Sequence, residues 1–121
     1  MVQLVPSANA KFVQDGKSID YTADPDIDVA VGEVVVQGEL VGIAVRGVPK
    51  GTVGALAVTG VFDLPKTVGS GEAIGAGADV YWDATNIVVT TDSATGANKK
   101  LGRTVAAAGD NDATVRVRLS Q

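Results

Sequence analysis

Short apolar runs, each closed by glycine or proline, divide this chain into pieces of four to seven residues. The last of them, Thr114-Val115-Arg116-Val117-Arg118-Leu119, alternates between two faces, the signature of a half-buried strand. Runs at 33–36, 40–45, 52–58 and 61–64 read as strands, and Pro65 stops the fourth. Two more strands are expected at 79–83 and 87–91, joined through Ala84-Thr85-Asn86. After a polar loop over 92–100 come strands at 101–107 and 113–119. Near the start, residues 12–22 read as two short strands around Asp15-Gly16, a dipeptide that favours hairpin turns. An acidic loop follows at 24–28, and the Gly- and Ala-rich stretch 67–78 reads as a loop.

No segment carries an apolar stripe of helical period. The best helical candidate, Val105-Ala106-Ala107-Ala108, meets Gly109 before completing two turns. The expectation is an all-β fold, a compact barrel or sandwich of short strands. A loose internal repeat strengthens it: the runs 31–36, 40–45 and 55–58 are echoed by 76–82, 101–105 and 114–117, with a longer insert in the second copy. Two similar strand sets packed together would give such a body. The division expected is an N-terminal arm over 1–11 and one β domain over 12–121.

Composition agrees with strands. Twenty-one Val stand against six Leu, and a side chain branched at Cβ fits a pleated sheet better than a helix. The absence of His and Cys narrows the chemistry more than it narrows the fold. It removes the commonest general base, the commonest metal ligand and the thiol nucleophile, so neither a Ser–His nor a Cys–His pair can be built. No disulfide framework is possible either. A net charge of −4 gives no global basic face for a phosphate backbone, and the longest basic run is only Lys99-Lys100, with Arg103 nearby. Direct nucleic-acid binding is therefore not expected. No apolar stretch approaches the ~20 residues of a membrane span, and the first six residues lack the basic start and apolar stretch of a signal peptide. No membrane partner is expected.

Several motifs invite chemistry and fall short of it. Gly16-Lys17-Ser18 matches the end of a phosphate-binding loop, but the Gly needed five positions before Gly16 is Lys11, and the residues after Ser18 are strand-like. Gly69-Ser70-Gly71 lacks its third Gly in place, because Gly75 stands one position late. Asp24, Asp26 and Asp28 open like a calcium loop, yet Val29 and Val35 occupy its Gly and Glu positions. That stretch, like Asp110-Asn111-Asp112, reads as a solvated turn. No catalytic, cofactor or metal residue is assigned. Tyr81 and Trp82 are the aromatic candidates for an interface, with alternation placing one ring inside and the other outside.

Four elements then carry a resemblance: Phe12-Val13-Gln14-Asp15-Gly16 with Ile19-Asp20-Tyr21-Thr22; the run 40–45 with 60–66; Val80-Tyr81-Trp82-Asp83; and the closing run 113–119. Together they resemble a family of small phage and prophage proteins of the capsid-cement, or head-decoration, type. The resemblance covers about residues 11–120. That family has also been labelled a predicted RecA/RadA-type phage recombinase, a label the failed phosphate-loop spacing argues against. The resemblance implies a β-rich homotrimer on the outer surface of the virion head, clamping the major capsid protein, and present in the host cytoplasm before assembly. The arm residues Val2, Gln3, Leu4, Val5 and Pro6 would then serve capsid binding by adding a strand to a free sheet edge. An accessory recombination protein and a tail or base-plate β module are the alternatives.

Overall fold

A computed structural model describes residues 10–121; the expected arm residues 2–6 lie outside that range. Nine strands form two antiparallel sheets. The first contains β1 (Ser18–Thr22), β2 (Val34–Gln37), β3 (Leu40–Ala44) and β4 (Val53–Ala57), in the order β1-β4-β3-β2. The second contains β5 (Gly60–Pro65), β6 (Asp79–Asp83), β7 (Val88–Thr90), β8 (Lys99–Thr104) and β9 (Thr114–Leu119), in the order β5-β9-β8-β6-β7. A single 3₁₀ turn, Ala94–Gly96, lies before β8. The all-β expectation holds, and all nine strands fall on runs expected to be strands.

The repeat holds too, down to register. Thr22 faces Val53 in the first unit as Pro65 faces Thr114 in the second. Val35 faces Gly42 as Val80 faces Gly102, and Ala44 faces Leu56 as Thr104 faces Val117. Outside the strands, the bridge between Val29 and Val48 has its counterpart in Ile74 and Ala108. β1, β4, β3 and β2 thus correspond to β5, β9, β8 and β6, and β7 is the addition of the second unit. The match ends at a bulge between Val80 and Tyr81, where Tyr81 pairs with Lys100 instead of Leu101.

The second sheet curls far enough for its two edges to meet, through a parallel bridge between Lys66 and Val89. Its interior holds Leu64, Trp82, Val89, Leu101, Val115 and Leu119 among others, with Val41 and Ile43 of β3 packed into the same cluster. A smaller cluster fills the first unit: Ala23, Val29, Val35, Ala44, Val48 and Leu56. β3 therefore faces a core on both sides, which its nearly unbroken apolar run Leu40-Val41-Gly42-Ile43-Ala44 reflects. A further tie joins the chain end to β3. Val41 N–H donates to Gln121 Oε1 at 2.7 Å, and Gln121 Nε2 donates to Val41 O at 2.6 Å.

Three local expectations need correction. Of the hairpin expected over 12–22, only the second strand forms; residues 10–15 have no regular structure, and β1 pairs instead with β4. The reason lies in the pattern. Phe12 and Val13 are adjacent, so an extended chain would send them to opposite faces, and neither finds a core. Ile87 belongs to the β6–β7 turn, with φ of 58°, rather than to β7. β8 begins earlier than expected, at Lys99, because both lysines are only partly exposed and run their stems along the sheet.

Candidate interaction surface

An apolar cleft of about 550 Å³ lies where the two sheets meet. Val34 and Val36 of β2 form one wall, Leu64 and Pro65 of β5 another, and Trp82, Ala84 and Ile87 close it, with Glu33 and Asp63 at the lining as well. β2 is the last strand of its sheet, so one side of its backbone is free along this wall.

The turn that presents Ile87 is built by Asp83. Its Oδ1 accepts from the N–H groups of Thr85 and Asn86 at 3.0 and 3.1 Å, and its Oδ2 accepts from Asn86 Nδ2 at 2.8 Å. These donors, led by the Asn86 N–H, hold the Asp83 carboxyl below the usual carboxylate range. The turn closes with Ile87 N–H on Asp83 O at 2.7 Å, leaving a β-branched residue in the left-handed region. Such a conformation is strained for Ile, and the side chain is 63% exposed.

Trp82 and Tyr81 divide as alternation requires. Trp82 is 5% exposed and belongs to the core, with one side along the cleft. Tyr81 is half-buried on the outer face of the sheet, its ring 5.8 Å from Lys100 Nζ. Three cations on that face, Lys100, Arg103 and Arg116, sit against carboxylates. Arg103 Nε donates to Asp79 Oδ1 at 2.9 Å and Lys100 Nζ to the same oxygen at 3.2 Å. Arg116 Nε and Nη2 grip both oxygens of Asp63 at 3.0 and 3.2 Å. Arg103 foremost, then Lys100, lowers the Asp79 pKa, and Arg116 lowers that of Asp63. Lys99 reaches across to Glu39 of the first unit at 2.8 Å. The basic run that stands out in the sequence is thus engaged with acidic partners.

The other motifs resolve into turns and strands. Gly16-Lys17 is a turn that leads straight into β1 at Ser18, and Lys17 O accepts from Val58 N–H at 3.0 Å. Asp24 Oδ1 takes the Asp26 N–H at 2.9 Å, and Asp28 Oδ1 takes the Lys50 N–H at 2.8 Å, so these carboxylates shape loops. Asp110 Oδ1 accepts from Ala73 N–H at 2.9 Å, which ties the 67–75 loop to the turn before β9. Among the described residues no three acidic side chains converge as a metal site would need.

One residue that the sequence does not announce is Lys66. It is 4% exposed, and its Nζ donates to the carbonyls of Thr67 at 2.7 Å, Asp112 at 3.1 Å and Asp110 at 3.5 Å. A lysine next to a proline reads as surface; only the closed second sheet turns it inward.

The protein is thus an all-β body of two matched sheets with an apolar cleft where they meet. The family model of phage cement proteins matches residues 13–119, nearly the whole chain, and the protein belongs to that family. No curated protein and no solved structure matches it.

Proposed function

We propose that this protein binds the outer surface of an assembled phage head and stabilises it without catalysing a reaction. The family match over 13–119 carries the reading. In this reading the partner is the major capsid protein, the protein acts as a homotrimer, and it resides on the virion after passing through the host cytoplasm. Three weak attachments per trimer add into a firm one, since the second and third become intramolecular once the first has formed. The arm, with Val2, Gln3, Leu4, Val5 and Pro6, adds a strand to a capsid sheet edge, which supplies main-chain hydrogen bonds. Tyr81 offers an aromatic contact on the outer face, and Trp82 stands behind it as support. The entry of Gly16-Lys17-Ser18 into a strand gives no support to a nucleotide-driven recombination role.

Purified protein mixed with expanded, undecorated capsids of its own phage is expected to bind stoichiometrically and raise their melting temperature. Absence of binding to every capsid state would overturn the proposal. Deleting residues 1–10 is expected to weaken attachment while leaving the circular dichroism spectrum unchanged.

A further inference from the structure

Two features of this chain lack a partner, and each suits the other. The first is the segment before β1. Phe12 and Val13 are 80% and 83% exposed, more than any other large apolar side chain among the described residues. The second is the apolar cleft beside β2, with its free strand edge and the strained, exposed Ile87 at its rim. Large exposed apolar groups and strained backbone both mark interaction sites. We propose that the segment around Phe12 of one copy lies along β2 of a second copy and inserts its ring into that copy's cleft.

The pairing satisfies strand geometry. Alternate residues of β2 face opposite ways: Val34 and Val36 line the cleft, while Val35 belongs to the first unit's core. A segment added to this edge with Phe12 on the cleft side puts Lys11 and Val13 on the side of Val35. Glu33 also stands at the cleft lining, and its Oε1 already accepts from Ala30 N–H at 3.2 Å. The cleft's second carboxylate, Asp63, is already held by Arg116. The size fits, since about 550 Å³ accepts a phenyl ring with room for its neighbours.

The position of the segment points to a second copy. It leaves the body at β1, and β1 and β2 are the opposite edges of the same four-stranded sheet. Phe12 is six residues before Ser18, a reach of roughly 20 Å when extended, enough to pass the edge of the body and enter a neighbour. A donor on one edge and an acceptor on the other make a head-to-tail contact, which closes into a ring when the rotation between copies allows. This contact is among copies and does not depend on which surface meets the capsid.

The chain has no cysteine, so engineered thiols report without background. Val13→Cys and Ile87→Cys variants, which leave the Phe12 ring in place, are mixed at several hundred micromolar and treated with a short bis-maleimide. The expected result is a covalent dimer that requires both variants and exceeds, by about tenfold, what either gives alone. A mixture that yields no more dimer than the separate variants would overturn the proposal. So would efficient closure within one chain in the Val13→Cys, Ile87→Cys double variant, seen as a fast-migrating monomer. Sedimentation gives a second readout: Phe12→Ser should weaken self-association about tenfold or more, as loss of a buried aromatic ring does, with the melting temperature of the fold unchanged. Self-association undiminished by Phe12→Ser would also count as failure. Loss of capsid binding with the cross-link intact would reject the capsid proposal alone.

Discussion

Ala23 and Lys66 occupy the same place in the two units, as do Ala44 and Thr104. Other matched positions, Val35 and Val80 or Leu56 and Val117, are apolar in both. The first unit fills its heart with apolar side chains alone. The side chains that shape its turns, such as Glu33 on Ala30 N–H and Asp28 on Lys50 N–H, stay at the surface. Glu33 N–H donates directly to Ala30 O at 3.1 Å. In the second unit the hydroxyl of Thr104 enters the equivalent turn, taking the Ala78 N–H at 3.0 Å and donating to Gly75 O at 2.6 Å. Likewise Gly51 N–H reaches Ala23 O and Asp24 O, whereas the longer turn before β9 is gathered by Lys66 Nζ. One topology can thus be held with its polar side chains at the surface or with some of them buried. The second solution suits the unit with longer loops, because those loops leave more carbonyls to satisfy.

The strongest way to break the comparison is at its shared glycines. A Cβ on Gly102 would collide with the backbone carbonyl of Arg118 and come within 2.7 Å of Ser120 N, whereas one on Gly42 meets mainly the Leu56 side chain at 2.8 Å. Gly102→Ala should cost about 4 kcal/mol or more, a large share of a small domain's stability, and prevent the β8–β9 ladder from forming. Gly42→Ala should cost less, about 1–3 kcal/mol, since its Cβ would crowd Leu56 Cβ at 2.8 Å but come no nearer than 3.4 Å to the Ala57 carbonyl. Urea unfolding followed by the fluorescence of Trp82, the chain's only tryptophan, measures both. Equal losses at the two sites would show that the units tolerate crowding alike.

Lys66→Met comes next, at about 2–3 kcal/mol, from three carbonyls left to fend for themselves in a nearly closed site. Thr104→Ala should cost only about 1 kcal/mol, because the turn can revert to the direct bond that the first unit uses. A loss from Thr104→Ala as large as that from Lys66→Met would mean that the turn cannot close without the hydroxyl. The smallest effect is acid sensitivity. Asp63, Asp79 and Asp83, all in the second unit, have folded pKa values below the ordinary one. Their contribution is present above the unfolded value, about pH 3.9, and disappears as pH falls through the lowered folded values. Urea midpoints should therefore drop below about pH 4, and Asp79→Asn should reduce the drop. A midpoint that stays level down to pH 2 would contradict this.

Most of the strands are legible in the sequence because valine alternation and glycine punctuation speak directly to sheet geometry. The repeat is visible for the same reason, and it foretells the matching registers. The division between Tyr81 and Trp82 also follows from alternation alone. Lys66 is not legible, since its burial depends on the curl of a sheet whose edge strands are far apart in sequence. The same holds for the cleft, whose walls come from β2, β5 and the β6–β7 turn. Phe12 and Val13 look like part of a hairpin until the fold shows that nothing on their own body receives them.

The double-faced burial of β3 has a mechanical meaning. Pulling the first unit open would strip Ala44 from one core and Val41 and Ile43 from the other, so both would fail together. The two halves of the repeat are therefore welded into one cooperative element rather than hinged. Tension applied at one edge of the molecule is carried through interlocked side chains to the far edge, instead of being released in a loop between them. A fragment ending after β4 would expose a strand shaped for two interiors and furnished with only one.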